Sequence, residues 1–293
     1  MSAYFPNRWL PYLLVLPSVV LVLVFFILPA VQSLELSLYL ASRTSDVRVF
    51  KGIQNFVDLF QDDQYIDSLL MTAAFILIVV PSALTISLLL ALGASQPVKG
   101  FGVYRMLLIW TFALSPAIAG TIWALLTDPA IGVVTHYLQE VGITFNWRTN
   151  GTHALIFVSV AATWKILGYN IVFFLAGLKN IPREVIEAAA LDGANAWTRF
   201  RKMIFPLLSP VTFFLLIMNT LYACFETFGL IDITTEGGPG RATNILIYKL
   251  YRDGFVSQNR LGSASAQSIV LLVLVVVLIA LQYRFAGRRT FYR

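Results

Sequence analysis

PREVIEAAALDGANAWTRFRKMIFP, residues 182–206, interrupts two long apolar runs with a polar and basic stretch. Pro182 fits the first turn of a helix, where a missing N–H costs nothing, and Glu184 and Glu187 lie toward that helix's positive end. Gly193 then takes the left-handed conformation that stops the helix. From Asn195 a second short helix is predicted, with Trp197, Phe200 and Ile204 on one side and Arg199, Arg201 and Lys202 off it. The pattern is a helix, a glycine turn and an amphipathic helix at a membrane surface, shaped for contact with a partner.

The flanking sequence explains why a membrane is involved. Of 293 residues, 58% are hydrophobic and only 12% charged, far outside soluble globular usage. Apolar runs long enough to cross about 30 Å of hydrocarbon recur near residues 10–32, 68–92, 104–126, 154–178, 207–230 and 264–286. The first is too long for the apolar core of a signal peptide and lacks a small-residue cleavage site, so it is read as a span. Cys224 is the single cysteine and lies in the fifth run, which rules out an intramolecular disulfide and a cysteine-rich metal site.

The net charge of +6 is unevenly distributed. The N-terminus, second and fourth loops and C-terminus hold 12 basic residues, among them Arg8, Lys99, Arg105, Arg284, Arg288, Arg289 and Arg293, against 3 acidic ones. The other side has 8 basic and 11 acidic residues. By the positive-inside rule both termini and the 182–206 loop are expected in the cytoplasm, and a nucleic-acid partner is not expected.

Along the chain, Asp58, Asp62, Asp63 and Asp67 give the first outer loop a solvated acidic face, with Phe56, Leu59 and Phe60 spaced for a short surface helix. Pro81 and Pro116 fall inside the second and third runs, and Ser115, Ala117, Ala119 and Gly120 allow close helix approach. Kinked packing in a bundle is expected there, with a broken-helix site as the alternative. GVVTHYLQEVG, residues 132–142, is predicted to lie on the surface as a short helix. His136 and His153 have no carboxylates at ligand spacing, so no metal site is expected.

The fourth and fifth runs carry most of the polar groups. Lys165, Tyr169, Asn170, Asn219, Tyr222 and Glu226 form the candidate substrate pathway. An ionisable group at mid-membrane costs about 2.5–3.5 kcal/mol on insertion scales, so Lys165 and Glu226 must face protein or water. Two readings stay open: they satisfy each other or nearby backbone, or Lys165 attracts an anionic ligand beside Trp164 and Tyr169. After the fifth run, Gly237-Gly238-Pro239 makes a sharp outer turn, and no Walker A sequence occurs.

These residues carry a resemblance. Glu187-Ala188-Ala189, with Asp192-Gly193 following and Pro206 beyond, resembles the EAA loop of bacterial ABC importer permeases. Met203-Ile204-Phe205 before Pro206 departs conservatively from that pattern, and Thr235, Gly237, Gly238, Pro239 and Thr243 match the T-x-G-G-P-x-x-x-T turn of the carbohydrate-uptake group. Within the group, Gly168-Tyr169-Asn170, Glu226-Thr227-Phe228 and ATNILIYKLYRDGF resemble permeases of sn-glycerol-3-phosphate importers. The resemblance implies an all-α, six-span type I permease, with residues 1–293 forming one transmembrane domain in a bacterial inner membrane. It also implies a heterodimer with a second homologous permease, two ATP-binding subunits that hold ATP and Mg, and an extracytoplasmic substrate-binding protein. Glu187, Ala188, Ala189, Asp192, Gly193 and Pro206 then form the ATPase-coupling loop, and the chain itself binds no cofactor.

The cargo implied is sn-glycerol-3-phosphate or a glycerophosphodiester, with a neutral sugar or polyol as the alternative. A polytopic membrane enzyme would need clustered His, Asp or Cys groups that the sequence scatters, and a passive channel leaves the EAA loop unexplained.

Overall fold

The computed structural model describes residues 9–42, 48–95, 101–256 and 260–285. Arg8, Lys99, Arg288, Arg289 and Arg293, which carry part of the predicted charge asymmetry, lie outside the described residues, as does the end of the sixth run. In chain order the elements are α1 (Leu10–Ser37), β1 (Tyr39–Leu40), β2 (Val49–Phe50), α2 (Gln54–Gln61), α3 (Asp63–Ala94), α4 (Phe101–Ile109), α5 (Pro116–Leu126), α6 (Val133–Glu140) and α7 (Gly151–Lys179). Then come α8 (Arg183–Leu191), α9 (Ala196–Arg199), α10 (Ser209–Glu226), α11 (Phe228–Thr234), α12 (Leu246–Tyr251) and α13 (Leu261–Phe285). The surface helices expected around Phe56 and His136 are α2 and α6.

The chain forms two compact units, residues 1–62 with 250–272 and residues 63–249 with 273–293. In the first, α1 runs five residues beyond the predicted end at 32, and its most apolar window is exposed throughout, as suits a helix apolar on every side in lipid. β1 and β2 pair antiparallel, Tyr39 opposite Phe50, with their rings edge-on at 5.3 Å. Asn55 Nδ2 donates to the carbonyls of Ser37 (2.7 Å) and Tyr39 (3.0 Å), so one buried amide from α2 ties down the end of α1 and the start of β1. Gln267 Nε2 donates to Asp253 Oδ2 at 2.7 Å within the same unit.

The second unit is organised on α3 and α7. α3 has 32 residues and continues through Pro81 without a break, spanning about 48 Å at 1.5 Å per residue. Phe75, Val79 and Ala83 of α3 and Ala154, Val158 and Ala161 of α7 are buried. At the 182–206 end, Leu88, Ala91, Ile171, Phe174, Leu175, Ile181, Leu208 and Leu215 form a continuous apolar core. α5 packs through its small residues Ala119 and Gly120, both buried, alongside α11 with its buried Leu230 and Ile231.

The third apolar run departs from the kinked span expected. The helical pieces 106–113 and 116–126 are bent by 113°, so this run is not one continuous helix. Leu114 (ψ 145°) and Ser115 (ψ 154°) are extended, and Ser115 caps α5 by accepting the Ile118 N–H at 3.3 Å. The cause is local: proline disfavours helical geometry in the residue before it and is well suited to a first helical turn. Pro116 therefore begins a new helix, whereas Pro81 is tolerated inside one.

Candidate functional site

The first candidate site is the elbow at 182–206. Pro182 is the N-cap of α8, one position before the expected first turn; Glu184 lies in that turn, and Glu187 falls at mid-helix. At the other end the Ala194 N–H donates to the Ala189 carbonyl (2.9 Å) and the Gly193 N–H to the Ala190 carbonyl (3.1 Å), the pair of bonds that defines a Schellman cap. Gly193 has φ +78°, a conformation a side chain resists. Asn195 Oδ1 then accepts the Thr198 N–H at 2.8 Å and starts α9, which continues through a π turn, Phe200–Ile204.

The elbow has two apolar sides with different fates. Ile186, Phe200 and Ile204 pack against the core formed by α3, α7 and α10, which fixes the elbow to the spans. Leu191 (90% exposed) and Trp197 (66% exposed) face outward. Ala189 is buried while Glu187, Ala188 and Asp192 are exposed. Large apolar side chains this exposed, on a segment otherwise anchored, mark a surface built to be covered.

The second candidate site is the polar set in the fourth and fifth spans, and the structure separates its members. Asn170 and Asn219, both fully buried, exchange amide hydrogen bonds of 3.0 and 2.8 Å, and Asn219 Nδ2 also donates to the Leu215 carbonyl at 2.7 Å. Tyr222 is buried as well, and its hydroxyl donates to the Ala162 carbonyl at 3.2 Å. These groups clamp α7 to α10. Lys165, 6% exposed, donates from Nζ to the Phe112 carbonyl at 3.3 Å, and Nζ lies 5.4 Å from the centre of the Phe112 ring. Among the described residues Lys165 and Glu226 form no ion pair, and the hydrogen bond of Lys165 Nζ goes to backbone at Phe112. Glu226 is exposed at the end of the π turn Tyr222–Glu226, and Tyr169 is half-buried in an aromatic row with Phe112 (5.4 Å) and Phe173 (4.8 Å).

Outside these sites, the T-x-G-G-P-x-x-x-T motif closes on itself. Thr235 and Thr243 share a hydrogen bond of 2.7 Å, and Thr243 Oγ1 donates to the Gly238 carbonyl at 2.9 Å. Just beyond it, the Leu246 N–H donates to Thr72 Oγ1 and Asn244 Nδ2 to Ser68 Oγ, tying the turn to α3. Sequence reasoning missed the loop pin formed by Asp128 and Arg148 (2.7 Å) with Trp147 Nε1 on the Thr127 carbonyl (2.9 Å). The Ala130 amide, followed by the Ile131 amide and the Arg148 guanidinium, holds the Asp128 carboxyl below the usual carboxylate range. Phe112 was missed too, although its position four residues before Pro116 signals a carbonyl without a helical donor.

Comparison with known proteins bears on this geometry. A family model described as binding-protein-dependent transport system inner membrane component matches residues 60–291. The chain is 46% identical over 288 residues, 98% of both chains, to the sn-glycerol-3-phosphate transport system permease protein UgpA of Rhizobium meliloti (strain 1021). It is 42% identical to the Yersinia pestis protein of the same name, over 99% of this chain and 98% of the relative. Its fold is similar to that of a bacterial ABC transporter involved in the import of the acidic polysaccharide alginate (TM-score 0.80, 20% identity, 96% of each chain). It is likewise similar to a bacterial alginate ABC transporter in complex with an alginate pentasaccharide-bound periplasmic protein (TM-score 0.81, 22% identity, 96% of this chain and 95% of that one). With helices of spanning length and a family match over most of its residues, the chain belongs to the binding-protein-dependent transport system inner membrane components, multi-pass proteins of the inner membrane.

Proposed function

We propose that this chain is a permease subunit of an ATP-driven importer that passes sn-glycerol-3-phosphate, or a glycerophosphodiester built on it, across the inner membrane by alternating access. The observation that carries the mechanism is the elbow, anchored inward by Ile186, Phe200 and Ile204 and presenting Leu191 and Trp197 outward. A rigid body of that form transmits a push: an ATPase subunit grips α8, and the Schellman-capped corner carries its closure into the helical path leading to α10. In this reading Glu187, Ala188, Ala189, Asp192, Gly193 and Pro206 act as one mechanical unit, and the ATP and Mg chemistry belongs to two partner subunits.

The cargo class is supported by the names of relatives at 42–46% identity over nearly the whole chain. A periplasmic binding protein delivers the cargo, as the solved alginate complex illustrates for a protein of similar fold. A second permease completes the path: Glu226, the last residue of α10, is exposed on this chain, and a carboxylate on a spanning helix turns toward protein or water rather than lipid. Tyr169 and Glu226 are the pathway residues still available, since Asn170, Asn219 and Tyr222 spend their polar groups on helix contacts. Both termini and the elbow lie on the cytoplasmic side, in keeping with the charge distribution.

The test is reconstitution of the chain in proteoliposomes with its second permease, ATPase and binding protein. ATP-dependent, saturable uptake of glycerol-3-phosphate or glycerophosphocholine, and none of maltose, is the expected result. Uptake of maltose alone would move the cargo to the neutral sugars.

A further inference from the structure

The break in the third apolar run leaves a specific electrostatic problem. In a continuous helix the Phe112 carbonyl would accept the N–H of residue 116, but residue 116 is proline and has none. An unsatisfied carbonyl is costly wherever water is excluded. The donor comes from another helix: Lys165 Nζ reaches the Phe112 carbonyl at 3.3 Å and sits over the ring of the same residue at 5.4 Å. One ammonium thus meets both the backbone and the aromatic face of the residue that the proline deprives.

The neighbouring turn of α7 fits the same segment. A methyl group built on Gly168 would lie 2.7 Å from the Ile109 carbonyl oxygen and 2.9 Å from Thr111 Oγ1. Backbone cannot yield to such contact as a flexible side chain can, so only glycine lets α7 lie this close to the corner. Tyr169, beside it, holds its ring 5.4 Å from that of Phe112. We infer that Lys165 and Gly168 form a latch that holds the broken corner 109–114 against α7, so that corner and α7 move as one body. Lys165 is then a positioning residue that acts on the corner and does not contact cargo. The latch is independent of which cargo the transporter carries.

The experiment has two arms on the full chain assembled with its partners. In the first, Ala113→Cys reports the exposure of the corner to a membrane-permeant thiol reagent, with native Cys224 buried and slow to react. Lys165→Met and Gly168→Ala should each change the labelling rate at 113 by about tenfold or more, the scale of a lost charge-assisted hydrogen bond. Lys165→Arg, which keeps a donor, should restore it. In the second arm, uptake kinetics separate positioning from cargo binding. A latch predicts a lower maximal rate with KM unchanged in both Lys165→Met and Gly168→Ala. A raised KM in Lys165→Met alone, with labelling at 113 unchanged in both variants, would overturn the latch and make Lys165 a cargo ligand. If Lys165→Met fails to assemble, Gly168→Ala decides alone, since wild-type labelling and wild-type rate in that variant contradict the latch. Failure of the wild type to take up glycerol phosphates would count against the cargo, while the labelling arm would still judge the latch.

Discussion

Two breaks in the helical path, at Gly193 and at Pro116, are resolved in opposite ways. At Gly193 the orphan carbonyls are satisfied by the chain's own backbone through a Schellman cap, and the outward face stays open. At Pro116 the orphan carbonyl is satisfied by a lysine from a different helix, and the corner lies against it. A corner that closes on itself leaves its surface free for another protein. A corner that borrows its donor is bound to the helix that lends it. The surface corner is thus a handle and the corner at Pro116 a joint.

The largest effect is expected at the handle. Gly193→Pro forces φ near −65° where the cap needs +78°, and should abolish uptake and release the ATPase subunits on purification while the permease still inserts. Glu187→Lys, an exposed change that spares the core, should do the same, and full uptake in either variant would remove the elbow from the mechanism. At the joint the expected losses are the smaller, graded ones given above for Lys165→Met and Gly168→Ala.

Between the two corners lies the clamp of Asn170 and Asn219. Asn219→Leu strands a buried amide and should destabilise the chain by about 1–3 kcal/mol, read as a lower Tm in detergent. The Asn170→Leu, Asn219→Leu double variant removes both amides and should recover part of the loss. A double variant no more stable than the single one would mean that the amides do more than satisfy each other.

The smallest effect belongs to the outer loop. The folded-state pKa of Asp128 is depressed, so its contribution is present above the ordinary carboxylate range and is lost as pH falls through the folded value. Asp128→Asn should flatten the acid dependence of protease protection between residues 127 and 150 and leave neutral-pH uptake unchanged.

The sequence shows the handle more clearly than the joint for a physical reason. The elbow is built from local signals: Pro182, Gly193 and Asn195 each impose a backbone state on their own neighbourhood. The structure departs from the reading by one position at Pro182, by the central place of Glu187, and by the π turn Phe200–Ile204, where Phe200 and Ile204 meet the core while Trp197, predicted on the same side, faces outward. The joint depends on a contact between residues 53 apart, and nothing in the spacing of Lys165 identifies Phe112 as its partner. For the same reason Asn170, Asn219 and Tyr222 read as pathway residues. A polar group in an apolar run looks the same whether it meets solute or another helix, and only the packed structure shows Asn170 facing Asn219. The severity of the turn at Pro116 escaped for a related reason, since Pro81 sits in a similar run and leaves its helix continuous.

The handle itself can be tested by placing a cysteine at Leu191 in the assembled, transporting complex. With the ATPase subunits bound, the thiol should be shielded from a water-soluble reagent and should cross-link to an ATPase subunit through a short bifunctional linker; without them it should label freely. Equal labelling in both states, with no cross-link and undiminished uptake, would show that the motor drives the spans from another surface.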